Sequence, residues 1–186
     1  MPGTPPDDAP PPPLPPDADA TVRAFVAHWG LMARSWGINA TMGELFALLY
    51  ISAREWSADE LRDTLGVSRG NVSMNLRELL NWGVVHKVHR PGERREFFRA
   101  EGDVWLLFRR ILRERKRREL DPTLDLLTRT VERLGRAADG EAMHGRIHRL
   151  DRFFRQIEQL AAHLLELEPD ELDALLRFVG PDDRVD

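Results

Sequence analysis

Between Ser68 and Leu80 the residues SRGNVSMNLRELL place two kinds of side chain on opposite sides of one predicted helix. Val72, Leu76, Leu79 and Leu80 recur at helical spacing and form a face that packs inward. The other side presents Arg69, Gly70, Ser73, Met74 and Arg77, a small, polar and cationic surface. A helix that needed only solvation would more often carry Glu and Lys pairs there. Small residues in the first turn instead let a phosphate come close, where free backbone amides and the positive end of the helix dipole add attraction. Arg90, Arg94 and Arg95 form a second cationic group around Pro91–Gly92, at the tip and flanks of a predicted hairpin. An arginine-bearing tip of that kind can reach along a nucleic-acid backbone or into a minor groove.

Other side chains with chemical potential have simpler uses. His144 and His148 are separated by one helical turn, with Asp151 beyond them, a geometry able to hold a metal. The sequence HGRIH lacks the glutamate of a zinc-protease motif, and a surface pair is the commoner case, so no metal is expected. Trp29, Trp36, Trp56, Trp82 and Trp105 could build an aromatic cage for a quaternary ammonium, but helical spacing or a hydrophobic staple explains each as core. Seven bases between Arg109 and Arg118 read equally as a phosphate-facing surface or as partners for the acidic C-terminal segment. With no phosphate loop, nucleophile motif or isolated carboxylate pair, no cofactor and no enzymatic activity are expected.

The elements that must position these groups follow from local signals. Residues 1–16 hold nine of the thirteen prolines and predict an extended tail. Val22 to Trp36 repeat apolar residues at helical spacing up to Gly37, and Thr41 with Glu44 predicts a capping box for a second helix ending near Ser52. Ser57 with Glu60 predicts another box, opening a short helix that stops at Leu65–Gly66. Ser68 is then the N-cap of the cationic helix, and two helices joined by a tight Gly-containing turn make a helix-turn-helix. Pro91–Gly92 fits the centre of a type II turn between strands Val84–His89 and Arg94–Ala100. Asp103 opens a long helix burying Val104, Leu107, Phe108, Ile111 and Leu112, expected to break or kink at Asp121–Pro122. Leu120, Leu124, Leu127, Val131 and Leu134, then Met143, Ile147, Leu150, Phe154, Ile157, Ala161 and Leu164, repeat every three or four residues as coiled-coil seams. A last helix runs from Pro169 to Gly180.

The fold class expected is therefore mainly α: a winged helix-turn-helix with a small β-hairpin wing, followed by a helical dimerisation region. The expected division is a disordered tail over 1–18, a DNA-binding domain over 19–102, the helical region over 103–180 and a flexible end over 181–186. Net charge is −4 across 186 residues, yet residues 68–118 hold fourteen bases against six acids. Local field rather than total charge governs an encounter with a polyanion. Absence of cysteine excludes disulfides and thiolate chemistry. No apolar run of membrane-spanning length and no secretion signal are visible, which predicts a cytoplasmic protein without membrane contact.

TMGELFALLYIS, SADELRDTLGVSRGNVSMNLRELLNWGVV and HRPGERREFFRAEGDVWLLFRRILRERKRREL together resemble the GbsR group of the MarR superfamily over residues 22–135. The resemblance implies a homodimer that binds double-stranded operator DNA as a repressor, released by a small effector, choline-like in some members. It further implies Ser68, Arg69, Asn71, Ser73, Asn75 and Arg77 as recognition-helix contacts and Arg90, Arg94 and Arg95 as wing contacts. By side-chain chemistry Arg69 or Arg77 can fork onto guanine, and Asn71 or Asn75 can pair with adenine. Asn75 lies toward the buried flank, and capping can use Ser68 fully. The alternative is a winged-helix protein–protein interaction module without DNA specificity, which would expose an apolar recognition face rather than a lone Met74.

Overall fold

The computed structural model describes residues 16–135 and 141–179. Residues 1–15, 136–140 and 180–186, among them most of the expected tail and all of the expected flexible end, lie outside the described residues. Two compact units divide the chain, the first ending at Gly102 and the second starting at Asp103.

The first unit opens with α1 (Pro16–Ser35), which starts five residues before Thr21 and takes in residues 16–18 of the expected tail. A proline at a helix start lacks only an N–H that has no partner there, so Pro16 opens the helix instead of preventing it. Gly37, at φ +72°, turns the chain after α1. α2 (Ala40–Ser52) then packs against α1 across a close approach. A Cβ on Gly43 would lie 2.6 Å from Ala33 Cβ and 2.8 Å from the Trp29 carbonyl oxygen, so only glycine permits this spacing. Asn39, not the expected Thr41–Glu44 box, caps α2: its side chain accepts a hydrogen bond from Thr41 N at 2.9 Å. Asn is among the strongest N-caps and precedes Thr41, so the helix starts two residues earlier than the box requires.

β1 (Trp56–Ser57), α3 (Ala58–Leu65), α4 (Arg69–Asn81), β2 (Val85–Val88) and β3 (Phe97–Ala100) complete the unit. The capping box at Ser57 and Glu60 forms as expected, with Glu60 accepting from Ser57 N at 2.7 Å. Burial opposes ionisation of Glu60, but hydrogen bonds from Ser57 and the charge of Arg54 hold its carboxyl below the usual range. The hairpin gains a third strand that the sequence did not reveal, because β1 is only two residues long and shows no periodicity. The strand order is β1-β3-β2, all antiparallel, with Trp56 opposite Phe98 and Val85 opposite Ala100. Leu45, Leu49, Leu61, Val72, Val84 and Val85 are the fully buried core of the unit. Trp36, expected in the core, is 54% exposed because α1 ends before it.

The second unit begins with α5 (Val104–Arg115), capped by Asp103, whose side chain accepts from Leu106 N at 2.9 Å. Leu107 is buried, but Val104 and Phe108 are exposed, contrary to expectation. A π-helical turn (Lys116–Leu120) carries α5 straight into α6 (Asp121–Leu134). The expected break at Asp121–Pro122 is absent, since the backbone at Asp121 is helical and its N–H reaches Lys116 O. The wider turn gives the Pro122 ring room against the preceding carbonyls, a clash that would kink an ordinary α-helix. α7 (Glu141–Glu166) runs antiparallel to α6, as the pairs Lys116–Glu158 and Thr128–Asp151 show. α8 (Pro169–Val179) buries Leu172.

Candidate nucleic-acid interface

The turn between α3 and α4 is set by Gly66 in the left-handed region at φ +66°, with its N–H on Arg62 O. Ser68 then caps α4, its hydroxyl accepting from Asn71 N at 3.2 Å. That use leaves Ser68 a structural cap first, although the residue is exposed. Val72, Leu76 and Leu79 anchor α4 in the core, and this burial turns Arg69, Gly70, Ser73, Met74 and Arg77 outward, all exposed. Arg69 and Arg77 have no hydrogen bond or ion pair with any of the described residues. Around Gly70 an added Cβ would meet nothing within 4 Å, so packing gives no reason for glycine at this place in the first turn.

Asn75 lies on the buried flank as expected, whereas Asn71 is engaged inside the unit. Asn75 is buried and its amide donates to Asn71 O at 2.8 Å and to Asn71 Oδ1. Asn71, half-buried, passes its own amide donor to Thr41 Oγ1 at 3.3 Å. The chain Asn75–Asn71–Thr41 pins α4 to the start of α2 and engages both amides inside the unit. Burial thus sets Asn75 back from the outer face of α4, and Asn71 ties α4 to α2. Its partner Thr41 had no local signal, because the link spans thirty positions.

In the wing, the type II turn forms as expected: Glu93 N reaches Arg90 O at 3.1 Å and Gly92 sits at φ +83°. Arg94 is exposed, with no partner among the described residues, and Arg95 makes a loose 3.4 Å contact with Glu93 and lies 5.9 Å from the Phe97 ring centre. Arg90 is tied down, in contrast to the expectation for it. Its Nε donates to Glu55 Oε2 at 2.7 Å and its guanidinium lies 3.9 Å from the Phe97 ring centre. Glu55 precedes β1, so this pair fastens the wing to the sheet edge and leaves Arg94 and Arg95 to reach outward.

Three further groups resolve as structure. The His144 and His148 ring centres are 6.1 Å apart, but Asp151 is buried and engaged by Arg155 Nε at 2.8 Å and by Thr128. No metal-holding group of three or more side chains occurs among the described residues. The Trp56 ring face is occupied by the Arg54 guanidinium, 3.4 Å from its centre, which removes it from any cage. In the basic run Arg117 and Arg118 both bind Glu114, Arg115 binds Glu119 at 2.8 Å, and Lys116 lies 2.7 Å from Asp121 and 3.1 Å from Glu158. Asp121 above all, then Glu158, holds the Lys116 ammonium charged beyond the usual lysine range.

Residues 36–96, which span the whole helix-turn-helix and most of the wing, match the MarR family model. The chain is 28% identical over 167 residues to the HTH-type transcriptional regulator MmpR5 of Mycobacterium tuberculosis, covering 89% of this chain and 93% of that one. It is 24% identical over 74 residues to the HTH-type transcriptional repressor OpcR of Bacillus subtilis, 40% of each chain. A crystal structure of a transcriptional regulator superposes with a TM-score of 0.60 at 23% identity, over 87% of this chain and 99% of that one, a likeness of fold.

Proposed function

We propose that this chain is a homodimeric, sequence-specific DNA-binding transcriptional regulator, a repressor of the GbsR kind that a small effector releases. The observation that carries the reading is the outer face of α4, where Arg69 and Arg77 stand exposed and unpaired among the described residues around an open Gly70 turn. Guanidinium groups suit both phosphate and the guanine edge, and the cap at Ser68 leaves the amides of Arg69 and Gly70 free. Arg94 and Arg95 extend the same charge from the wing. The regulators that the chain is similar to support the same reading. In this reading residues 19–102 carry DNA binding and 103–180 carry dimerisation, in the cytoplasm where chromosomal DNA is met. Among the described residues no helix is long and apolar enough to cross a membrane.

Dimerisation is supported by α7, which has two apolar stripes rather than one. Ala161 is buried and Ile147 and Phe154 are half-buried on the side of α6, whereas Met143, Leu150, Phe153, Ile157 and Leu160 are exposed at heptad spacing. Exposed apolar residues in such a row fit a second copy of the same helix. A two-fold dimer presents two α4 helices to half-sites about 34–36 Å apart, which one helix alone cannot specify.

The test is a binding titration against the DNA upstream of the chain's own gene. Affinity is expected to fall steeply with salt as counterions are released, and Arg77→Ala is expected to cost about 1–3 kcal/mol on specific DNA. Binding that ignores salt, or a panel of α4-face variants with unchanged affinity, overturns the reading.

A further inference from the structure

Met74 is the single large apolar side chain on the outer face of α4, 57% exposed, and nothing in the packing of the unit accounts for it. It stands one turn after Gly70 and one turn before Arg77, nearly opposite the stripe of Val72, Leu76 and Leu79 that enters the core. The inward turn of the two asparagines changes what this face can read. Asn75 is buried against Asn71, and half-buried Asn71 has its amide nitrogen on Thr41 and its amide oxygen on Asn75, so both sit back from the outer face. What remains outward is two guanidinium groups, one hydroxyl at Ser73, and one thioether. Each has a different complement on base edges in a major groove: guanidinium takes the guanine acceptors, and an apolar group takes the thymine C5-methyl, the groove's one hydrocarbon feature.

We infer that Met74 packs against a thymine methyl, so that A·T pairs in the operator are recognised from the thymine side while Arg69 and Arg77 address guanine. A flexible, polarisable thioether adapts to a methyl whose position shifts with local DNA shape, as a branched side chain would not. The assignment rests on the DNA-binding reading above and names the base chemistry that its central helix discriminates. It also implies that loss of Asn71 weakens binding to all sequences alike, because Asn71 orients α4 without touching a base.

The experiment uses the full-length protein and a duplex footprinted in its own upstream DNA, with thymines replaced one at a time by deoxyuridine, which deletes only the methyl. Wild-type affinity is expected to fall about fourfold at one thymine in each half-site, the value of one buried methyl-sized group. Met74→Ala is expected to lose at least as much on thymine DNA and nothing further on the deoxyuridine duplex, while Met74→Leu retains sensitivity to the methyl. Met74 is exposed, so these variants fold, which circular dichroism verifies. Deoxyuridine that is silent at every position, or losses from Met74→Ala and deoxyuridine that multiply, overturns the inference and leaves DNA binding standing. Failure to bind any duplex with salt dependence overturns both.

Discussion

Two stretches of this chain are rich in arginine, and the structure treats them in opposite ways. On α4, Arg69 and Arg77 have no partner among the described residues. From Arg115 to Arg118, four consecutive cations each find a carboxylate on their own helix, one of them reaching α7 as well. The denser run is thus the neutralised one. Charge density marks a surface for nucleic acid only when no acid lies one turn away. That criterion is written in the sequence: positions three and four residues either side of Arg69 and Arg77 hold no Asp or Glu, whereas Glu114 and Glu119 bracket the second run.

The sharpest way to break the comparison is to remove each pair of cations in turn. Arg69→Ala with Arg77→Ala is expected to abolish specific binding, a loss of about 2 kcal/mol or more, while Arg117→Ala with Arg118→Ala leaves affinity within about 0.5 kcal/mol. Equal losses from the two double variants, read by fluorescence anisotropy at one salt concentration, would sink it.

Next in size is the carboxylate that holds the second run. Glu114 is buried, and the hydrogen bond from Arg117, then that from Arg118, keeps its carboxyl below the usual value despite the cost of burial. Glu114→Gln is expected to destabilise the second unit by about 1–3 kcal/mol at neutral pH, the range for a charge-assisted hydrogen bond. Since the folded pKa is lower than the unfolded one, the stabilisation is complete above about pH 4.5 and is lost as pH falls through the folded value. Thermal melts of wild type and variant should therefore converge in acid. A gap that persists at pH 3 would show that the residue acts by shape alone.

Gly70→Ala separates binding from stability. The added methyl meets open space, so the helix is expected to gain about 0.5 kcal/mol in a denaturant titration while DNA affinity drops. Gains in both would mean that nothing approaches this turn closely. The smallest effect is expected in the wing. Glu55→Gln loosens the anchor of Arg90, costing under about 1 kcal/mol of stability and less affinity than Arg94→Ala. The reverse order of affinities would make Arg90 the contact and Arg94 the bystander.

Local chemistry was readable without coordinates. The Ser57–Glu60 box, the Ser68 cap, the Asp103 cap and the Pro91–Gly92 turn each depend on residues within four positions of one another, and all are found. Legibility ended where distant residues compete. Spacing on α4 points Asn71 outward, but Thr41 accepts from its amide, and the turn leaves Arg90 at the tip, but Glu55 accepts from its guanidinium. The heptads on α7 were seen, but their single seam conflated a stripe facing α6 with another left exposed, which no periodicity can separate when the two lie side by side. At Trp36, Val104 and Phe108 the spacing fitted a buried helical face, but the side chains are exposed.

The π-helical turn before Pro122 amounts to one extra residue threaded into an otherwise unbroken rod. Rewinding that turn as ordinary α-helix with every residue kept would swing everything downstream by roughly 100° around the axis, the rotation one residue adds. Leu127 would leave its place against α7, and Pro122 would strike the carbonyl it now avoids. The surplus residue is a phase-setter: it clocks the second half of the helix to its partner, and its length cannot drift without unseating that pairing.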